Sequence, residues 1–159
     1  MKITIISVGK IKEKFYREAV NEYVKRLSKY CKLEIIEVQD EKTPDQCSET
    51  VEQMILSKEG DRILKYLRPD MFVYALAIKG KKLDSPAFAK EINNLGLEGK
   101  SSIAFLIGGS LGLHESVLNR ADRQISFSDM TFPHQLMRVI LTEQIYRCFR
   151  IIHSEPYHK

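Results

Sequence analysis

Met71-Phe-Val-Tyr-Ala-Leu-Ala-Ile78 is the longest unbroken apolar run in the chain. It has the length of a strand and is far too short to cross a bilayer. A strand apolar at every position, rather than at alternate ones, suits a sheet covered on both faces, as parallel sheets are. Outward from this run, strand and helix signals alternate. Upstream, Lys2–Val8 is β-branched, and Glu13–Tyr30 carries Phe15, Ala19, Val20, Tyr23, Val24 and Leu27 as a helical stripe. Leu33–Val38 is again strand-like, and Thr50 to about Leu67 has helical spacing that Pro69 ends. Downstream, Ser85-Pro86 has the cap-then-proline form of a helix start, running to about Asn94. Ser102–Ile107 reads as a buried strand, His114–Ala121 as a short helix, Gln124–Phe127 as a short strand, and His134 to about His153 as the final helix. The alternation predicts one α/β domain over 1–159, a mostly parallel sheet sandwiched by helices.

At 159 residues, with 43% hydrophobic and 29% charged content, the chain has the composition of a soluble globular domain. Met1–Val8 is strand-like rather than a signal peptide, and no apolar run is long enough for a membrane. Cys31, Cys47 and Cys148 are odd in number and outside any CxxC spacing, which predicts reduced thiols and a cytoplasmic location. The net charge of +4 is uneven: residues 1–32 carry nine Lys/Arg against three Asp/Glu, and residues 33–78 five against ten. A basic segment suits a polyanionic partner, yet on charge alone a solvated helix face is the better reading.

Ligands in parallel sheets sit where strands end at their carboxyl side. Gly108-Gly-Ser-Leu-Gly112 follows a strand and lets backbone approach a ligand, but it has neither the GxGxxG spacing nor a Walker lysine. Taken alone it reads better as a tight turn. Phe127-Ser-Asp-Met-Thr-Phe-Pro133 suits an adenine-wrapping loop and a buried connection equally well. His134 opens the last helix, where a histidine is more often structural than a base. On that helix Glu143, Arg147 and Arg150 share a face, either as an ion pair or as a phosphate contact with Glu143 holding an arginine. Tyr157 and His158 can stack on a base, donate hydrogen bonds or move a proton, against the ordinary expectation that a tail frays. The final helix is apolar nearly all round, which predicts burial on two sides and a homodimer through it. The histidines and cysteines have no metal-ligand spacing, so no metal is expected.

Several segments together carry a resemblance. Leu76 with Gly80-Lys81, Phe105-Leu-Ile-Gly-Gly109 with Gly112, Ser128-x-Met-Thr-x-Pro-His134, Leu141-Thr-Glu-Gln-x-Tyr-Arg147 and Pro156-Tyr-His-Lys159 resemble the ribosomal RNA large subunit methyltransferase H family of the SPOUT superfamily, over essentially the whole chain. The resemblance implies an α/β fold with a C-terminal trefoil knot over about residues 71–159. It implies S-adenosylmethionine as cofactor, held by Leu76, Gly108 and the loop Phe127, Ser128, Asp129, Met130, Thr131 and Phe132. It further implies a homodimer that methylates N3 of a pseudouridine in 23S rRNA of the large subunit or assembled ribosome. Tyr157, His158 and Arg147 are then the expected catalytic group, and Lys25, Arg26 and Lys29 help to grip RNA. Ala77 stands where many relatives have an acid, and Ser110 where some have proline. Competing expectations are a non-catalytic RNA-binding factor, a dinucleotide oxidoreductase and a transfer-RNA methyltransferase of the same superfamily. Cofactor binding separates the first two from a methyltransferase, and the RNA substrate separates the third.

Overall fold

The computed structural model describes residues 1–157. Five strands, β1 (Lys2–Val8), β2 (Lys32–Val38), β3 (Phe72–Lys82), β4 (Ser102–Ile107) and β5 (Arg123–Ser126), form one sheet in the order β2-β1-β4-β3-β5. Every pairing in it is parallel. The helices are α1 (Lys14–Leu27), α2 (Glu49–Leu64), α3 (Ser85–Leu97), α4 (Glu115–Arg120) and α5 (His134–Ile152). The α/β sandwich is therefore present, and its sheet is parallel throughout.

Both faces are covered, as the apolar strands demand. Ile3, Ile5, Ile103 and Phe105 point into one core with Leu27 of α1, Phe88 and Ile92 of α3, and Leu141 and Ile145 of α5. Ile6, Val8, Ala104 and Leu106 alternate into the other core with Ile63 of α2 and Val117 of α4. The final helix accordingly lies between α1 and α3 on the sheet, which buries one side of it. Its outer stripe keeps Leu136, Val139 and Ile140 half-exposed.

Element ends agree with the sequence expectations to within three residues except at β3, which continues through Gly80 to Lys82. The cause is β5, which pairs with β3 on both sides of a register break between Leu76 and Lys81. A Cβ on Gly80 would lie 2.6 Å from the Ile125 carbonyl carbon, so glycine is what lets the two backbones approach. The cap of α3 is also one residue earlier than expected. Asp84 accepts the Ala87 N–H at 2.7 Å, while the Ser85 hydroxyl turns to the Gln144 side chain at 2.7 Å.

A buried arginine fixes α5 across the sheet edge. Arg138 is 1% exposed, and it donates to the Glu37 carboxylate at 2.5 Å and to the Val8 and Gly9 carbonyls at 3.0 and 2.5 Å. The Gln135 side chain adds a second tie, accepting the backbone N–H of Lys12 at 2.7 Å. Together they set where the loop before α5 must stand.

Candidate functional site

The carboxyl ends of β3, β4 and β5 open into a cavity of about 820 Å³. It stands at the carboxyl ends of the strands, the usual side for a ligand in such folds, but on the β3–β5 side of β4 rather than in the β1–β4 crevice where the connections part. Three segments wall it: Leu76–Lys79 after the buried half of β3, Ile107–Leu113 after β4, and Gln124–His134 around and after β5. Leu76, Gly108, Phe127, Ser128, Met130, Thr131 and Phe132 all line it. Asp129 does not. Its carboxylate turns away to the Lys82 ammonium.

The two loops are held tightly. Gly112 turns the first one in the left-handed region at φ 87°, and its N–H donates to the Gly109 carbonyl at 3.1 Å. A Cβ on Gly108 would meet the Gly112 carbonyl oxygen at 2.3 Å, so the strand exit is folded directly onto the turn. In the second loop the Ser126 hydroxyl donates to the Ser128 carbonyl at 3.0 Å, and the Ser128 hydroxyl accepts the Met130 N–H at 3.0 Å. Backbone and apolar side chains thus make most of the wall, with Lys79 and His134 at its polar margins. His134, read from sequence as structural, both lines the cavity and stands over Gly9, where a Cβ would lie 3.5 Å from its Nε2. Burial, and then the Arg138 charge, lower its pKa, which keeps the imidazole neutral at pH 7.

Behind the glycine loop lies Glu59, 4% exposed, whose Oε1 accepts the Glu41 N–H at 2.9 Å. Burial raises its carboxyl pKa above the usual range. A raised pKa means that the folded state binds this proton more tightly, so the stability it contributes is complete below the unfolded pKa near 4.5 and is lost as pH rises through the folded value. Glu59→Gln keeps an acceptor for Glu41 and removes the charge. Thermal melts are expected to show the variant more stable than the parent at pH 7, with the difference gone at pH 4; an equal Tm at both would contradict the buried charge.

The expected catalytic group lies at the far end of α5. Arg147 Nε and Nη2 donate to Glu143 Oε1 at 3.0 and 2.6 Å, and the Tyr157 hydroxyl donates to the same oxygen at 3.1 Å. The Arg147 guanidinium sits 4.6 Å from the centre of the Tyr157 ring, which packs edge-on to Tyr146. Burial, with the neighbouring Tyr23 and the Glu143 charge adding to it, pushes the Tyr157 phenol up to about 12. The tail does not fray at this point: Glu155 accepts Lys29 Nζ at 3.2 Å and also meets the Tyr30 hydroxyl and the Arg150 guanidinium. Arg150 therefore belongs to the tail clamp, and of the two arginines it is Arg147 that pairs with Glu143. Arg26 bonds Glu22 at 2.8 Å, so two of the three expected RNA-gripping residues, Arg26 and Lys29, are engaged in ion pairs. His158 lies outside the described residues.

Sequence reasoning gave no role to Met137, which lines the cavity, or to Gln144, bonded to Ser85 and Glu143. Their spacing on α5 with Arg147 was the available signal. Among the described residues no group of three or more His, Cys, Asp or Glu is arranged to hold a metal ion, and no helix is long and apolar enough to cross a membrane.

A parallel sheet whose carboxyl-end loops close around an apolar cavity of this size defines a small-molecule-binding α/β protein. Comparison with known proteins makes the class specific. Residues 1–158 match the family model described as a predicted SPOUT methyltransferase. Ribosomal RNA large subunit methyltransferase H of Clostridium kluyveri is 60% identical over 159 residues, covering 100% of both chains. The proteins of that name from Bifidobacterium adolescentis and Clostridium botulinum (strain Kyoto) are 61% and 62% identical over the same full span. The chain belongs to the SPOUT methyltransferase family.

Proposed function

We propose that this methyltransferase uses S-adenosylmethionine to methylate N3 of a pseudouridine in 23S rRNA, on assembled ribosomes in the cytoplasm, as a homodimer knotted from about residue 71. The observation that carries the RNA half is full-length identity of 60–62% to proteins named ribosomal RNA large subunit methyltransferase H. The cavity supports the cofactor half. Adenosine needs an apolar slot and backbone hydrogen-bonding groups, and Leu76, Phe127 and Phe132 beside the 108–112 and 127–132 loops supply that combination.

When bound, the cofactor supplies a sulfonium-activated methyl group and leaves as the neutral thioether. The protein's own task is to orient N3 and to manage its proton. Tyr157 keeps its proton at neutral pH, so it serves as a hydrogen-bond donor rather than a base. Turned from Glu143 to the base, with the Arg147 cation beside it, it suits stabilising negative charge that develops on the imide as N3 is deprotonated. His158, the next residue, is assigned as proton acceptor, its ordinary pKa lying close to neutrality. Arg147 is thirteen residues beyond His134, about 20 Å along the helix. A second copy pairing α5 in antiparallel fashion would cover Leu136, Val139 and Ile140 and bring its tail group towards this cavity. That geometry favours the dimer.

The direct test is transfer of labelled methyl from S-adenosylmethionine to 70S particles, 50S subunits and free RNA from cells lacking the protein. Label on N3 of a 23S pseudouridine in 70S particles is expected; no label on any of the three overturns the reading. In the same assay Arg147→Ala is expected to slow single-turnover transfer about 100-fold with cofactor affinity unchanged. Wild-type rates in Arg147→Ala, Tyr157→Phe and His158→Ala alike would remove the tail from the chemistry.

A further inference from the structure

The segment Lys10-Ile-Lys-Glu-Lys14 leaves β1 beside the His134 margin of the cavity. We propose that Lys10 and Lys12 hold backbone phosphates of the substrate RNA next to the target nucleotide, an inference that rests on the rRNA methyltransferase reading for the identity of that RNA.

The backbone of this segment is fixed while its cations are left bare. The Gly9 N–H donates to the Val38 carbonyl at 2.8 Å, and the Ile11 N–H donates to Glu37 Oε1 at 3.1 Å. Gln135 Oε1 accepts the N–H groups of Lys12 and Glu13 at 2.7 and 3.2 Å, and Arg17 Nη2 donates to the Ile11 carbonyl at 3.0 Å. Ile11 is buried, and Lys10 and Lys12 on either side of it are exposed. Among the described residues neither lysine forms an ion pair, whereas Lys14 pairs with Glu18 at 3.6 Å. Glu13 offsets one of the three lysine charges. The loop therefore presents two free cations from an ordered base, which spares an RNA complex the entropy of ordering it. Phe15, 60% exposed with its ring centre 4.4 Å from that of Tyr16, adds a face on which a base can stack.

The charges around the cavity decide where a polyanion lies. Lys12 is tied by Gln135 to the residue after His134, and its ammonium adds to burial and the Arg138 charge in lowering the His134 pKa. Lys79, exposed and without an ion pair among the described residues, lines the cavity on the β3 side. Strands β1 and β3 flank β4, so their exits stand two strand spacings, about 10 Å, apart with the glycine corner between them. Beyond β2 the sign reverses: Asp40 is exposed there, and a Cβ on Gly9 would lie 3.7 Å from its Cγ. An RNA strand is thus drawn across the mouth from Lys10 and Lys12 towards Lys79, and is repelled from the β2 side. Gln135 precedes Leu136 by about 100° of helix rotation and faces the β1–α1 loop. The lysine rim therefore lies outside the Leu136, Val139 and Ile140 stripe assigned to the dimer. Phosphate contacts fix register without reading sequence, so this rim positions the strand.

The test uses the full chain with two RNA probes, a fluorescent oligouridylate and ribosomes from cells lacking the protein. The joint Lys10→Gln, Lys12→Gln variant is expected to bind oligouridylate about tenfold more weakly, with the slope of log affinity against log salt reduced by about 2. On ribosomes its KM should rise about tenfold with kcat within twofold of the parent, because a phosphate held alike in ground and transition states contributes uniform binding. S-adenosylmethionine affinity within twofold of the parent certifies the fold. A joint Lys65→Gln, Lys100→Gln variant removes the same charge after α2 and before β4, at the other end of the sheet, and should keep RNA affinity within twofold. A rim variant that binds oligouridylate as the parent does, or a control variant that loses as much, overturns the surface. If the rim variant alone loses affinity for oligouridylate but the parent methylates no ribosomal particle, the RNA surface stands and the rRNA reading falls.

Discussion

Gly108→Ala is expected to abolish S-adenosylmethionine binding, with at least a 100-fold loss of affinity. The added methyl would sit 2.3 Å from the Gly112 carbonyl oxygen and 2.4 Å from its carbonyl carbon. Both are backbone atoms, so no side-chain rotation relieves the overlap. Relief requires the 109–112 turn to open, breaking the Gly112 N–H to Gly109 carbonyl bond and the bridge between those residues. That turn is the cavity wall, so an ångström-scale displacement passes undiminished to the ligand. Overpacking costs about 1–3 kcal/mol even where side chains can adjust, so a lower Tm should accompany the binding loss. Ser110→Ala, two residues on, changes no backbone contact and serves as the control. Calorimetric titration with S-adenosylmethionine decides the matter, and parental affinity in Gly108→Ala would mean that the loop does not form the wall.

The second large effect is expected from Arg138→Met. The methionine matches the apolar part of the arginine but abandons the Glu37 carboxylate and two backbone carbonyls at the end of β1. Arg138 is fully buried but the Glu37 side chain stays 32% exposed, so the loss falls at the low end of the about 3–5 kcal/mol typical of breaking a buried pair, and it comes mainly from the two backbone carbonyls left without a donor. For a chain of this size about 3 kcal/mol corresponds to a Tm lower by roughly 10 °C. A joint Glu37→Gln, Arg138→Met variant should recover part of the loss, since the orphaned charge is then gone. Arg138 is one helical turn beyond His134, so cofactor affinity should fall along with stability. A Tm within two degrees of the parent, read by thermal melts at matched pH, would show that the Arg138 contacts contribute nothing net.

The glycine corner and the loop before α5 were legible as candidate corners because each follows an apolar strand, but taken alone the first read better as a tight turn and the second was even; the family resemblance, not the local pattern, made both of them expected cofactor contacts. Which residues of a loop face inward was not legible. Asp129 lies among cavity-lining neighbours yet turns to Lys82, a choice made by the position of the β3 extension. The tail shows the same limit. Fraying is the ordinary expectation for a terminus, and it is overturned by Lys29 and Tyr30, more than a hundred residues earlier in the chain. The Glu143–Arg147 pair, by contrast, was visible from spacing alone, since both groups lie on adjacent turns of one helix.

The amino-acid sequence by itself determined the order and type of the ten elements, the two-sided burial of the sheet and the family, because these rest on periodicity and on motifs read within short windows. Tertiary structure alone decided the strand order β2-β1-β4-β3-β5, the passage of β5 across Gly80 and the burial of Arg138 against Glu37. Each of these joins segments that are distant in the chain. Their geometry is set by which apolar faces must be buried together and which buried polar groups must then find a partner, and no local window contains both halves of such a pair.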